Sequence, residues 1–234
     1  MKMNIKVLIM LLLLCSYVYA QNNTYYYWYN GEKYDLHLNN QKNFLLLKDN
    51  INKNNLSADL NIEVSRIDSI IKVNVGASLI PHKHQDMEEN SSYWTVVSTE
   101  GKSIDYSSKN ISYHSPFFYS NSGKELGLSH LFYVKLRKEE DIILLEGLAE
   151  VNKVKLLGNN KYMPLWYILS CSHNSKGNAL EMANMFFETK LFASSQPDLM
   201  EDDLIQTVDD RFYTSQWNLN NTGQNGGTTG VVLP

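Results

Sequence analysis

The sequence predicts an α+β fold: a β-rich N-terminal segment, then a βαββαβ unit, then an irregular C-terminal tail. Three observations predict it. Residues 21–128 hold aromatic and branched runs punctuated by Asn-Gly and Asn-Ser-Gly turns. Residues 129–203 switch repeatedly between period-two and period-3.6 apolar patterns. The tail, residues 204–234, is polar, and Asn220 to Gly227 shows no periodicity at all.

The elements follow in order. Tyr25 to Tyr29, Asn30-Gly31, and Lys33 to Leu38 read as a hairpin, because Asn-Gly accepts the positive φ that a two-residue turn requires. Phe44 to Leu47 continues as a strand, Asn50 to Asn55 reads as a polar loop, and Tyr93 to Val97 as a further strand. Pro81 to Ser92 is weakly patterned and reads as a loop. Phe117 to Tyr119, Asn121-Ser122-Gly123, and Lys124 to Leu126 form a second hairpin candidate. Leu131 to Leu136 alternates as a strand, and Glu139, Glu140 and Asp141 then place negative charge where a helix N-terminus favours it. Ile142, Leu145, Leu148 and Ala149 recur at helical spacing. Val154 to Leu157 is a short strand that Gly158-Asn159-Asn160 should stop, and Leu165 to Cys171 is another. Asn178 with Glu181 forms a capping box ahead of Ala179, Met182, Ala183, Phe186 and Phe187. Ser194 to Met200 is a last strand, which Pro197 places at an edge. Strand, helix, strand, strand, helix, strand is the ferredoxin-like order, with both helices on one face of the sheet and the other face open.

Residues 1–20 read as an export signal. Lys2 and Lys6 precede the apolar run Val7 to Leu14, and Val18-Tyr19-Ala20 offers a cleavage site before Gln21. Cys15 raises a lipoprotein alternative, but Leu14 is bulky where such sites want a small residue. Loss of Lys2 and Lys6 takes the 21 basic residues to 19 against 25 acidic ones, a net charge of −6. That balance argues against nucleic acid as a partner. No later apolar run is long enough to cross a membrane as a helix. With Cys15 removed, Cys171 has no intramolecular partner, so no disulfide framework is expected.

Few residues suggest chemistry. His82 and His84 are spaced to point the same way from a strand, but the neighbouring acids Asp86, Glu88 and Glu89 sit in an expected loop, and a solvated loop is the better reading. Cys171 with His173 invites a nucleophile reading, against a small core residue in an aromatic strand. His114-Ser115 lacks an orienting acid. The glycines of the tail lack the strand and helix that a phosphate loop needs. No catalytic residue, cofactor or metal is expected.

The tail holds the most specific pattern. Asp209-Asp210-Arg211-Phe212-Tyr213-Thr214-Ser215-Gln216-Trp217-Asn218-Leu219-Asn220-Asn221-Thr222-Gly223-Gln224-Asn225-Gly226-Gly227 resembles the opening of the catalytic domain in subtilisin-like serine proteases. The matching positions are Gln216, Trp217, Leu219, Asn221, Thr222, Gly223, Gln224, Gly226 and Gly227. The stretches Asn178 to Asn184, Phe187 to Phe192 and Gln196-Pro197-Asp198 resemble the last helix and strand of that family's prodomain, which is ferredoxin-like. The resemblance implies a leader at 1–20, the β-rich part of a prodomain at 21–128, its ferredoxin-like part at 129–203, and a linker with the truncated start of a catalytic domain at 204–234. The family's catalytic Asp, His and Ser motifs and its oxyanion Asn have no counterpart here, so no catalytic role carries over.

What the resemblance implies is a binding role. In the family the open sheet face packs on two helices of the protease, and the chain leaving the last strand lies in the substrate cleft as an added strand. Leu199, Met200, Leu204 and Val208 would then be apolar anchors in a subtilisin-like catalytic domain bound in trans. Two alternatives stand beside this inhibitor or folding-chaperone role. One is an inert truncation of a serine endopeptidase gene, suggested by the off-pattern ending Val231 to Pro234. The other is an exported β-rich binding protein with Tyr25 to Tyr29 as a ligand platform.

Overall fold

The structure is a computed structural model that describes residues 25–72, 79–81 and 93–201. The expected leader with Cys15, the His82/His84 pair with its neighbouring acids, Leu204, Val208 and the signature run from Gln216 to Gly227 lie outside the described residues.

Within them the chain forms ten strands and three α-helices. The strands are β1 (Tyr25–Tyr29), β2 (Glu32–Leu47), β3 (Ile71–Lys72), β4 (Leu79–Pro81), β5 (Tyr93–Ser98), β6 (Ile111–Ser120), β7 (Glu125–Lys135), β8 (Lys155–Asn160), β9 (Met163–Ser170) and β10 (Ser194–Glu201). The helices are α1 (Lys53–Leu60), α2 (Ile142–Asn152) and α3 (Ala179–Glu188). All ten strands join one sheet, in the order β3-β5-β2-β6-β7-β9-β8-β4, with β1 on β2 and β10 on β7. The architecture is therefore sheet-dominated α+β with few helices. The pairs β1–β2, β2–β5, β2–β6, β6–β7, β7–β9 and β8–β9 are antiparallel.

The first hairpin forms where Asn-Gly indicates. Asn30 (φ 50°) and Gly31 (φ 82°) both adopt positive φ, and Tyr29 then pairs with Glu32. Gly31→Val is expected to destabilise the chain by about 1–2 kcal/mol, because a branched side chain resists that conformation. A urea midpoint indistinguishable from wild type would contradict this.

Two local expectations are corrected. Asn50 to Asn55 is not a plain loop: the Asn52 side chain accepts from Asn55 N at 2.9 Å and starts α1. Only Leu56 and Leu60 of α1 are buried, so one i, i+4 pair holds an otherwise polar helix. They join Leu45, Leu47, Ile67, Val97 and Ile111 in a small separate core. Second, Gly158-Asn159-Asn160 does not stop β8. Gly158 takes φ 152° at a register shift against β9, and β4 pairs with all three residues. A glycine in a strand can mark a bulge as well as an end.

β7 organises the rest. It runs without a break through the expected division between residues 128 and 129. Its first half pairs with β6 and is buried from Leu126 to His130, while its second half pairs with β9 and alternates. Phe132, Val134 and Leu136 point into the main core with Leu145 and Ala149 of α2, Ala183 and Phe186 of α3, and Leu156 and Leu169. The capping box opens α3: Asn178 Oδ1 accepts from Glu181 N at 3.0 Å, and Glu181 Oε2 accepts from Asn178 N at 2.9 Å.

Candidate functional site

The period-two alternation of β7 sends Leu131, Tyr133 and Lys135 away from the helices. Register with β9 places Ile168 beside Tyr133 and Trp166 beside Lys135. Cross-strand partners share a face, so these side chains form one surface. The Lys135 ammonium lies 5.9 Å from the centre of the Trp166 ring. Tyr133, Asn160, Met163, Trp166, Ile168 and Gln196 line a depression of about 320 Å³. Tyr133, Trp166 and Ile168 are half-buried, with no helix over them among the described residues.

Polar contacts hold one side of this surface. Ser129 Oγ donates to Asp198 Oδ2 at 2.6 Å, and the Tyr133 hydroxyl donates to Asp198 Oδ1 at 3.1 Å. Burial raises the Tyr133 pKa, and the Asp198 carboxylate raises it further, so the phenol remains a donor. These bonds tie β10 to β7 and fix the tilt of the tyrosine. Among the described residues β10 pairs with β7 alone, at the edge of the sheet beside the depression.

Leu199 and Met200, the expected cleft anchors, lie at the end of β10. Both are half-buried against the main core. A Cβ at Gly127 would meet the Phe117 ring at 2.9 Å and the Met200 methyl at 3.1 Å. The space that glycine leaves is therefore filled by these two side chains, and Met200 is anchored first to its own chain.

The sequence-level nucleophile candidates do not assemble. Cys171 is 1% exposed, and burial pushes its thiol up to about 12, which keeps it protonated. His173 is exposed nearby, with its backbone N–H donating to Ser112 O at 2.8 Å. His114 is exposed and stacks on Tyr106, whereas Ser115 is 1% exposed and donates to Leu128 O, so neighbours in sequence sit on opposite sides of β6. Among the described residues no group of three or more His, Cys, Asp or Glu could hold a metal. No helix among them is long and apolar enough to cross a membrane.

The Tyr25–Tyr29 run is used largely for packing. The Tyr26 hydroxyl and Trp28 Nε1 both donate to Glu188 Oε1, at 2.7 and 3.0 Å. Trp28 stacks on Phe187 with centroids 5.0 Å apart, and Asn184 Nδ2 donates to Tyr26 O at 2.7 Å. The Tyr26 bond, then the Trp28 bond, holds the Glu188 carboxyl below its usual range, while the Tyr26 phenol is pushed up to about 12. A groove of about 630 Å³ runs between β1 and α3. These contacts clamp β1 to α3 through Tyr26 and Trp28, while Tyr29 stays 47% exposed.

One buried titratable group has no signature in the sequence. His130 is 7% exposed, lies 6.1 Å from the Phe44 ring and 6.4 Å from the Tyr113 ring, and its Nδ1 has no hydrogen-bond partner among the described residues. Burial lowers its pKa to about 4, so the imidazole is neutral in the folded chain at neutral pH. A lone histidine within a strand says nothing of its neighbours. Tyr133 and Ile168 are visible in the sequence as strand residues, but their pairing depends on the β7–β9 register.

No protein-family model matches the chain, and no curated protein matches it. Among solved structures, the small subunit of acetolactate synthase from Thermotoga maritima is similar at 12% identity and a TM-score of 0.21, with 69% of this chain and 96% of that chain covered. A likeness at that score carries no argument about fold or function.

Proposed function

We propose that this chain is an exported prodomain-type module of a subtilisin-like serine protease. It acts by binding a subtilisin-like catalytic domain, as inhibitor or folding chaperone, and not by catalysis of its own. One observation carries the reading: an aromatic sheet face, centred on Tyr133, Trp166 and Ile168 and uncovered among the described residues, adjoins the edge strand β10. We read β10-β7-β9-β8, with α2 and α3 on the opposite face, as the ferredoxin-like layout that the resemblance implies. The open face offers apolar area for helices of a partner. The outer edge of β10 offers the backbone groups of Ser194 to Met200 for strand addition.

Inhibition tests the proposal. The full chain at micromolar concentration is expected to slow peptide hydrolysis by a subtilisin-like protease from the same source. Trp166→Asp should raise the inhibition constant by about tenfold or more, because an aromatic anchor would be lost from the centre of the contact. Trp166 is half-buried on the open face, so circular dichroism can verify that the variant folds. Unslowed hydrolysis with wild-type chain would reject the reading.

A further inference from the structure

α2 lies on the same side of the sheet as α3 and presents a second apolar surface, away from the proposed protease-binding face. Leu145 and Ala149 are buried, and Leu148 leans on the same core. The other side carries Ile143 at 72% exposure, Leu144 at 46% and Val151 at 60%. Gly147 sits between them at the midpoint of the helix, exposed, and a Cβ built there meets nothing within 4 Å. Glycine weakens a helix relative to alanine. Nothing inside the described chain takes up the space it leaves.

We infer that α2 is a homotypic docking face, on which two copies of this chain pack antiparallel across Gly147. A two-fold axis at Gly147 brings residues equidistant from it into opposition. Ile143 then meets the partner's Val151, and the paired glycines let the two helix backbones approach closely. Charge at the two ends of the helix favours a second copy, with the exposed Glu146 and Glu150 beside Gly147 falling at the rim of the contact. The turn before α2 carries Glu139 and Glu140, and the chain just past its C-terminus carries Lys153 and Lys155, all exposed. In the antiparallel pair the acidic end of each helix lies toward the basic end of the other, with Glu139 toward the partner's Lys155. A surface complementary to itself under a two-fold rotation is what an isologous dimer requires. One helix face gives an interface near the small end of the specific range, below about 1,200 Å² in total, so the dimer is weak and depends on concentration.

Sedimentation of the full chain from about 1 to 200 µM tests this, with a monomer–dimer equilibrium expected in the micromolar range for an interface of this size. Gly147→Arg is expected to leave the circular dichroism unchanged and to abolish dimerisation, since two guanidinium groups would meet at the axis. Lys155→Glu should weaken the dimer about tenfold, and adding Glu139→Lys should restore it to within about threefold. A monomer at every concentration would overturn the inference. So would a dimer that survives Gly147→Arg, or a charge reversal that its complement does not repair.

Discussion

Phe186→Ala is expected to destabilise the chain by about 3–5 kcal/mol, at the upper end of the range for a core truncation. The ring is 0% exposed and lies on the inner face of α3. It meets Phe132 of β7 edge-on at 5.2 Å and Phe192, which follows α3, stacked at 5.9 Å. One side chain thus joins the helix, the central strand and the turn into β10. Alanine would leave a cavity lined by rigid aromatic rings, which collapse poorly around a void. That loss is comparable with the whole stability of many domains, roughly 5–15 kcal/mol. Phe187→Ala provides the contrast. Its ring is half-buried against Trp28, and the expected loss is about 1–2 kcal/mol. Urea unfolding of both variants checks the ranking, and equal midpoints would show that α3 is not held through Phe186.

The second large effect is acid sensitivity centred on His130. An unfolded histidine titrates near 6.5, whereas burial places His130 at about 4 in the folded chain. Between those values the unfolded chain binds the extra proton, so stability rises with pH across this window. The contribution of the neutral imidazole is fully present above pH 6.5 and is lost as pH falls toward 4. A gap of that size corresponds to about 3 kcal/mol at most. Phe44 and Tyr113 flank the ring, and among the described residues Nδ1 lacks a partner, so nothing there compensates a proton. Unfolding free energy measured from pH 7 to 4 should fall accordingly, and His130→Leu should remove most of the slope. A wild-type chain whose stability is flat over that range would show that the imidazole is reached by water.

Backbone chemistry explains why some elements are legible in the sequence. Asn30-Gly31 fixes a turn because few residue pairs accept two positive φ angles in succession. Asn178 and Glu181 fix a helix start because their side chains satisfy the first free N–H groups directly. Period-two alternation from Leu131 to Lys135 fixes which residues of β7 share a face. α1 is illegible for the converse reason: its buried apolar content is Leu56 and Leu60 alone, and burial under β2 and β5 holds it rather than its own composition. Gly158 misleads because a glycine can end a strand or bulge it, and β4 and β9 on its two sides decide between these.

The same division holds for the candidate site. The sequence by itself determined the α+β class, the order of strands and helices through residues 129–201, and the alternation that divides the side chains of β7 between two faces. Those depend on φ, ψ and side chains a few positions apart, which the chain specifies locally. Only the tertiary structure decided that Tyr133, Trp166, Ile168 and Gln196 share one depression, that β7 carries one sheet through residue 128, and that His130 is shut away from water. Each is a property of residues tens of positions apart. Such residues meet only when the register of long-range pairing is set, and that register follows from how the whole core packs.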